Sequence, residues 1–308
     1  MTTTTTTTRY ASKKTRSLLL MAAPGILFLF VFNYLPLPGL VLAFKDYRFD
    51  LGLFNSPSIG FKNFEFFFKS TFAGMVTVNT LGYNSVFILS TIASSLTVAI
   101  LLGEILKPGW IKFYQTVFFF PYFLSWPVVA FMTFALFNMD LGVLNRMLVQ
   151  FGGKAIDWYS TPWVWRLIMP ILHLWKSIGY NTLLIYAAVI SIDKSLYESA
   201  MLDGASKLQR AFKITIPMLR PVIVVLTLVM LGRVFYSDFG QFYMIPRQSG
   251  LLMETTEVID TYVFRALRVT GDIGLAAAVG LYQSLMGFLV VLGSNWLIRR
   301  YDQDNALF

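Results

Sequence analysis

The chain has 308 residues, of which 56% are hydrophobic and only 13% charged, yet its net charge is +9. An ordinary soluble domain carries roughly 25% charged residues, so a soluble fold, a fibrous repeat and a disordered chain are excluded. A solvated basic face for nucleic acid is excluded with them. With no cysteine and one histidine, disulfide frameworks, thiolate chemistry, iron–sulfur clusters and Cys- or multi-His-ligated metal sites drop out as well.

A bilayer core takes about 20 mostly apolar residues per helix. Six stretches meet that length: 17–44, 80–103, 113–137, 163–190, 218–238 and 273–298. The expected fold is therefore an all-α integral membrane protein with six transmembrane helices. Residues 1–16 hold a threonine tract (2–8) with nothing to bury, for which disorder is expected, followed by Arg9, Lys13, Lys14 and Arg16. These cations and the run 17–44 resemble a secretory signal. The run is too long for one and contains Pro24, Pro36 and Pro38, so a retained helix is expected, kinked at Pro24 and ended or bent at the later prolines.

The connecting segment 45–79 is rich in phenylalanine (Phe61, Phe64, Phe66, Phe67, Phe68) interspersed with Lys62, Glu65 and Lys69, the pattern of an amphipathic helix lying at a membrane interface. Segment 138–162 closes on Trp158 and Tyr159, with Trp163 and Trp165 just beyond; such rings favour the headgroup level.

Intramembrane ionisable groups are costly and usually face a cavity or one another. In the fourth stretch Arg166, His173, Lys176 and Tyr180 fall within about 80° of one another at helical spacing, a cationic, hydrogen-bond-donating sector suited to lining a passage for a polar solute. For each a structural reading stands beside it. Arg166 could snorkel, His173 could pack as a neutral ring, and Lys176 could pair with Asp238. In the fifth stretch Arg233, Tyr236, Ser237 and Asp238 gather at the outer end, with Arg233 and Ser237 sharing a face at i, i+4 and Asp238 turned away from both. A gate, an ion pair and solute contact are all open. In the sixth, Gln283 and Ser284 lie between Gly280 and Gly287, where close helix packing competes with a role in the passage. Tyr83 and Asn84 in the second stretch are weaker candidates.

The segment 191–217 is too polar to span. Leu196, Ala200, Phe212 and Ile216 can share apolar faces, Gly204 interrupts the helical register, and Pro217 precedes the next stretch. Two short helices with a glycine-permitted turn between them are expected on the membrane surface. Glu198, Lys207, Arg210 and Lys213 are then available to a soluble partner. The plain alternative is a basic cytoplasmic loop with no other role.

Charge asymmetry sets the orientation. With the N-terminus in the cytoplasm, segments 1–16, 104–112, 191–217 (with Arg220) and 299–308 carry 13 Lys and Arg against 6 acids. The opposite segments 45–79, 138–162 and 239–272 carry 9 against 9. Both termini, including the tail 301–308, are expected in the cytoplasm. The chain has no G-x-x-x-x-G-K-[ST] loop for ATP phosphates, no G-x-S-x-G and no H-E-x-x-H. No catalytic set and no metal site can be assembled, and an enzyme is disfavoured.

In the order Glu198, Ser199, Ala200, Asp203, Gly204, Ala205, Phe212, Ile214, Pro217 and Pro221, the segment 196–221 resembles the "EAA" loop of binding-protein-dependent ABC importer permeases, with Ser199 in place of the family's first alanine. The resemblance extends to Pro24 through Ala43–Phe44–Lys45–Asp46–Tyr47, to 232–240, to 258–263 and to 283–300 with Asn295 and Trp296, roughly residues 17–300 in all. These parts resemble the oligosaccharide and polysaccharide (maltose-permease-like) branch. The resemblance implies the type I importer permease fold and a coupling helix. In it Glu198 faces a cytoplasmic ATPase subunit, Gly204 makes the turn, and Ala200, Ala205 and Leu208 give docking surface. It also implies the partners: a second, homologous permease subunit, two ATPase subunits that bind ATP and Mg, an extracytoplasmic solute-binding protein, and the bilayer of a bacterial inner membrane. This chain itself takes no cofactor. A cationic passage suits an acidic, uronate-type oligosaccharide, with a neutral one close behind. A permease for amino acids, peptides or phosphate, and a secondary transporter, are the competing readings. The lack of an internal repeat and of paired carboxylates at span centres weighs against the last.

Overall fold

The computed structural model describes residues 5–301, with side-chain surroundings for 15–300. The described residues are helical throughout, apart from connecting turns and one antiparallel bridge from Lys45 to Ser58. Helix α1 (Thr5–Leu29) begins inside the threonine tract for which the sequence suggested disorder; residues 1–4 and the tail 302–308 lie outside the described part. Extending a helix already nucleated by an apolar stretch costs little per residue. Pro24 sits within α1 without ending it. The α-ladder gives way to a π turn (Phe30–Tyr34) and a 3-10 helix (Leu37–Phe44) around Pro36 and Pro38, which lack the N–H an α-helix needs. Side chains from Leu18 to Leu35 are exposed in the single chain, as a lipid-facing span requires.

A short turn α2 (Gly52–Asn55) precedes α3 (Lys62–Lys69), which realises the expected amphipathic helix over fewer residues than expected: Phe67 is buried while Phe61, Phe66 and Phe68 remain exposed. From Thr71 the chain already belongs to α4 (Thr71–Gly103), where the sequence placed the span from residue 80. At 33 residues, α4 is about 50 Å long, longer than a bilayer's hydrocarbon core of about 30 Å. One stripe, from Val76 through Thr80, Tyr83, Asn84, Phe87, Thr91, Ser95 and Ala99 to Leu102, is buried. Its small polar members let a neighbouring helix approach closely.

The third apolar stretch is not one straight helix. It is α5 (Pro108–Phe119), a 3-10 turn (Phe120–Phe123) and α6 (Trp126–Phe137), bent by 97° across the extended residues Leu124 and Ser125. Pro121 and Pro127 flank the break and cannot donate to a continuous ladder. After α7 (Val143–Gln150), the long helix α8 (Pro162–Val189) runs against α4. There Thr91 meets Ser177 at 3.5 Å and Ser95 donates to the Ile178 carbonyl at 3.3 Å. Helix α5 crosses α8 at Gly179, where a Cβ would lie 2.1 Å from the Phe118 carbonyl oxygen. Trp165, expected at the headgroup level, is fully buried, its indole donating to the Trp158 carbonyl at 2.7 Å; Trp163 is exposed.

The segment beyond α8 folds as α9 (Lys194–Leu202), α10 (Lys207–Arg210), a π turn (Ala211–Thr215) and α11 (Ile216–Met218). A 62° bend then leads into α12 (Arg220–Leu231). That helix ends well before residue 238, and 232–238 is unwound, so the shared helical face expected of Arg233 and Ser237 does not exist. Helices α13 (Phe239–Met244), α14 (Met253–Thr256) and α15 (Ile259–Arg268) cover one end of α4 and α8 before α16 (Ile273–Tyr301) closes the chain. Among the described residues, three helical segments are long and apolar enough to cross a membrane alone (Thr15–Phe44, Thr71–Gly103, Ile273–Arg300), or up to five if each bent pair counts as one. Helix α8 matches them in length but carries Arg166, His173 and Lys176.

Candidate functional site

The segment 194–218 is a hairpin built by local signals. Asp193 caps α9, its carboxylate accepting from the Ser195 amide at 2.9 Å, and this interaction holds the carboxyl below its ordinary range. Gly204 turns the chain at φ +76°, where a side chain would be strained. Ser206 and Gln209 then close a reciprocal capping box on α10. One face of the hairpin is anchored inward. The Tyr197 hydroxyl meets Thr215 Oγ1 at 2.9 Å, and the ring packs with Ala99, Ile185, Val189, Ile192 and Leu219. The opposite face presents Met201, Leu202 and Leu208, with Leu202 90% exposed and Phe212 also outward. Glu198, Ser199, Asp203, Gly204 and Pro217 are exposed, Ala200 and Ala205 half-buried.

Two expectations for this segment fail. Leu196 and Phe212 do not share a buried face; Tyr197 and Thr215 supply the inward contact instead. Arg210 is not available to a soluble partner. It is buried, and its guanidinium meets Glu104, just past the end of α4, at 3.4 Å, with Lys207 joining the same carboxylate at 3.6 Å.

The polar sector of α8 lies against the break between α5 and α6. Lys176 donates to the carbonyls of Tyr122 (2.9 Å), Pro121 (3.4 Å) and Leu124 at the interrupted ladder; the Pro121 oxygen also accepts from the Leu124 amide at 3.1 Å. Its ammonium also lies 5.3 Å from the Trp126 ring centroid. No ion pair joins Lys176 to Asp238 among the described residues. Asp238 caps α13 instead, accepting from the Gly240 amide at 3.0 Å. His173 stacks flat on Phe87 at 3.8 Å, and its Nδ1 lies 3.1 Å from Gln241 Oε1. Because Gln241 Nε2 donates to the Met169 carbonyl at 2.9 Å, its oxygen faces the imidazole, and Nδ1 carries the proton. Tyr180 is exposed and stacks on Tyr122 at 4.9 Å. Arg166 is exposed at the far end of the same sector.

The unwound stretch 232–238 is held the same way. Asn84 of α4 donates to the carbonyls of Val234 (2.8 Å) and Tyr236 (3.2 Å), and buried Gln283 of α16 to that of Phe235 (2.7 Å). The Ser237 amide donates to Asp260 at 2.7 Å, and Tyr236 meets Ser284 at 3.0 Å. Arg233 is exposed. Irregular backbone at membrane depth survives only where such partners exist. Thus His173, Lys176 and Asp238 are gathered around one junction with Gln241 and Trp126, while Gln283 and Tyr236 belong to a second. Glu104, Gln241, Trp126 and Tyr122 were missed in the sequence. Glu104 was legible as a lone acid beside Lys107 and Lys112, but its partner is a hundred residues away.

Comparison with known proteins gives consistent results. Residues 95–303 match the family described as binding-protein-dependent transport system inner membrane component. The chain is 33% identical to protein LplB of Bacillus subtilis over 96% of its own length and 92% of that protein. It is 31% identical to the polygalacturonan/rhamnogalacturonan transport system permease YteP of the same organism, over 93% of this chain and 89% of that one. Its fold is similar to a chain of a bacterial alginate ABC transporter, solved in complex with an alginate pentasaccharide-bound periplasmic protein. The TM-score is 0.85 at 29% identity, covering 94% of this chain and 96% of that one.

Proposed function

The chain belongs to the binding-protein-dependent transport system inner membrane components, and on that premise we propose how its parts work. It is an integral membrane protein, the permease of a sugar importer of the ABC class. Six spans with both termini in the cytoplasm are supported by the excess of Lys and Arg in segments 1–16, 104–112, 191–217 (with Arg220) and 299–308. The hairpin 194–218 docks on a cytoplasmic ATPase subunit. The observation that carries this is its two-sidedness: Tyr197 and Arg210 anchor one side to the helix bundle while Met201, Leu202 and Leu208 stand exposed on the other. A homologous second permease, two ATPase subunits carrying ATP and Mg, and a solute-binding protein complete the transporter. ATP-driven movement of the docked hairpin biases the bundle between two arrangements.

The transported solute is an acidic oligosaccharide. The relatives named for polygalacturonan/rhamnogalacturonan and alginate support this, as do the exposed cations Arg166 and Arg233 in the expected spans. Lys176 spends its protons on backbone carbonyls, so Arg166 and Arg233 are the side chains offered to a uronate. The test is uptake into proteoliposomes holding the full transporter, comparing oligogalacturonates with neutral oligosaccharides of equal length. Preferential uptake of the acid, lost in Arg166→Gln with Arg233→Gln, is expected. Equal uptake of both sugars, unchanged by the substitutions, would sink the acidic reading.

A further inference from the structure

We propose that Glu104 is a positioning residue that ties the hairpin to α4 and makes α4 the strut carrying the signal between the two faces of the membrane. The inference rests on the reading of 194–218 as the ATPase-docking hairpin and adds the route by which its movement leaves.

Helix α4 is fastened at both ends. Near its start, Asn79 donates to the carbonyls of Glu254 (3.0 Å) and Glu257 (2.9 Å), and Tyr83 to that of Thr255 (2.7 Å); Thr80 accepts from the Ile259 amide at 3.0 Å. These bonds fix it to the segment 239–272, which faces the solute-binding protein in the proposed orientation. At its other end Glu104, whose amide is still bonded to the carbonyls of the last helical turn, holds Arg210 and Lys207. A helix about 50 Å long is stiff enough that displacement of one end is delivered to the other. The Arg210 side chain is only 10% exposed. Leaving its charge without the carboxylate is costly, so hairpin and α4 move together rather than slide. Lys207 is largely exposed and adds little.

The experiment uses the complete transporter in nanodiscs with its binding protein and solute. In Glu104→Gln the ATPase subunits should co-purify as in wild type, while the stimulation of ATP hydrolysis by loaded binding protein falls about five-fold or more, the low end of ordinary coupling between sites. Exchanging the charges, Glu104→Arg with Arg210→Glu, should restore part of that stimulation. A purely structural contact would alter assembly or thermal stability and leave the stimulation ratio alone. Wild-type stimulation in Glu104→Gln overturns the proposal, and so does loss of the ATPase subunits, which would assign Glu104 to docking. If the single variant does not accumulate, the exchanged pair decides: restored stimulation supports the strut, and its absence overturns it. Failure of the docking reading itself has a different signature, namely ATPase subunits that stay bound when Leu208 on the exposed face is changed to Asp.

Discussion

The ammonium of Lys176 in α8 donates to the carbonyl of Tyr122 at 2.9 Å, inside the turn that ends α5. With Pro121 and Leu124 it makes one side chain the donor for three carbonyls at a 97° break in an apolar segment. A lysine that reads as a solute contact therefore has a structural task. Lys176→Met should lower the melting temperature of the purified complex, corresponding to about 1–3 kcal/mol in all, since the Pro121 carbonyl keeps the Leu124 amide and the Tyr122 carbonyl is open to solvent. It should also depress uptake of acidic and neutral oligosaccharides alike. A selective loss of acidic uptake at unchanged stability would return Lys176 to the solute.

Asn84 bears the same relation to Val234 and Tyr236. Asn84→Leu should destabilise the complex by about 1–3 kcal/mol. Combining it with Gln283→Leu should give a loss that is not the sum of the two, since both hold neighbouring carbonyls of one unwound segment. Thermal unfolding in detergent measures this. Were Asn84 a solute ligand instead, stability would hold and KM for uptake would rise.

Gly204 adopts φ +76° in the hairpin turn. Gly204→Val forces a branched side chain into a region costing about 1–2 kcal/mol and should reduce both transport and ATPase co-purification, whereas Gly204→Asn should be milder. Wild-type values of both measurements in the valine variant would remove the turn from the docking mechanism.

Glu257, in the segment 239–272, is buried and pairs with Arg265 at 2.7 Å. Burial outweighs the guanidinium and raises its carboxyl above the ordinary 4.5. A raised acid is stabilising while protonated, so its contribution is complete below pH 4.5 and fades as pH climbs through the raised value. Melting temperature against pH should therefore decline over that window more steeply in wild type than in Glu257→Gln. Parallel profiles would show that Glu257 ionises freely in the folded protein.

The fold class was legible because hydropathy is a local property: a run of apolar residues needs lipid or a core wherever the chain goes. The hairpin was legible for a similar reason. Gly204 and the Ser206–Gln209 box act over a few residues, and the resemblance of 196–221 rested on the same short span. The breaks were legible only in part. By hydropathy, residues 113–137 and 218–238 read as continuous spans, although Pro121 and Pro127 mark the first break; nothing near Leu124 or Phe235 in the sequence announces a donor for their carbonyls.

The sequence by itself determined that this is a helical membrane protein with a charge asymmetry and a turn between two short helices, because burial in lipid and glycine's φ freedom act within one segment. Tertiary structure alone decided which polar side chains hold the backbone and which remain exposed along the polar sector. Lys176, Asn84, Gln283 and Glu104 each take partners from distant segments. An ammonium, an amide or a carboxylate acquires its role only when packing brings those unmet groups within hydrogen-bonding or ion-pairing reach.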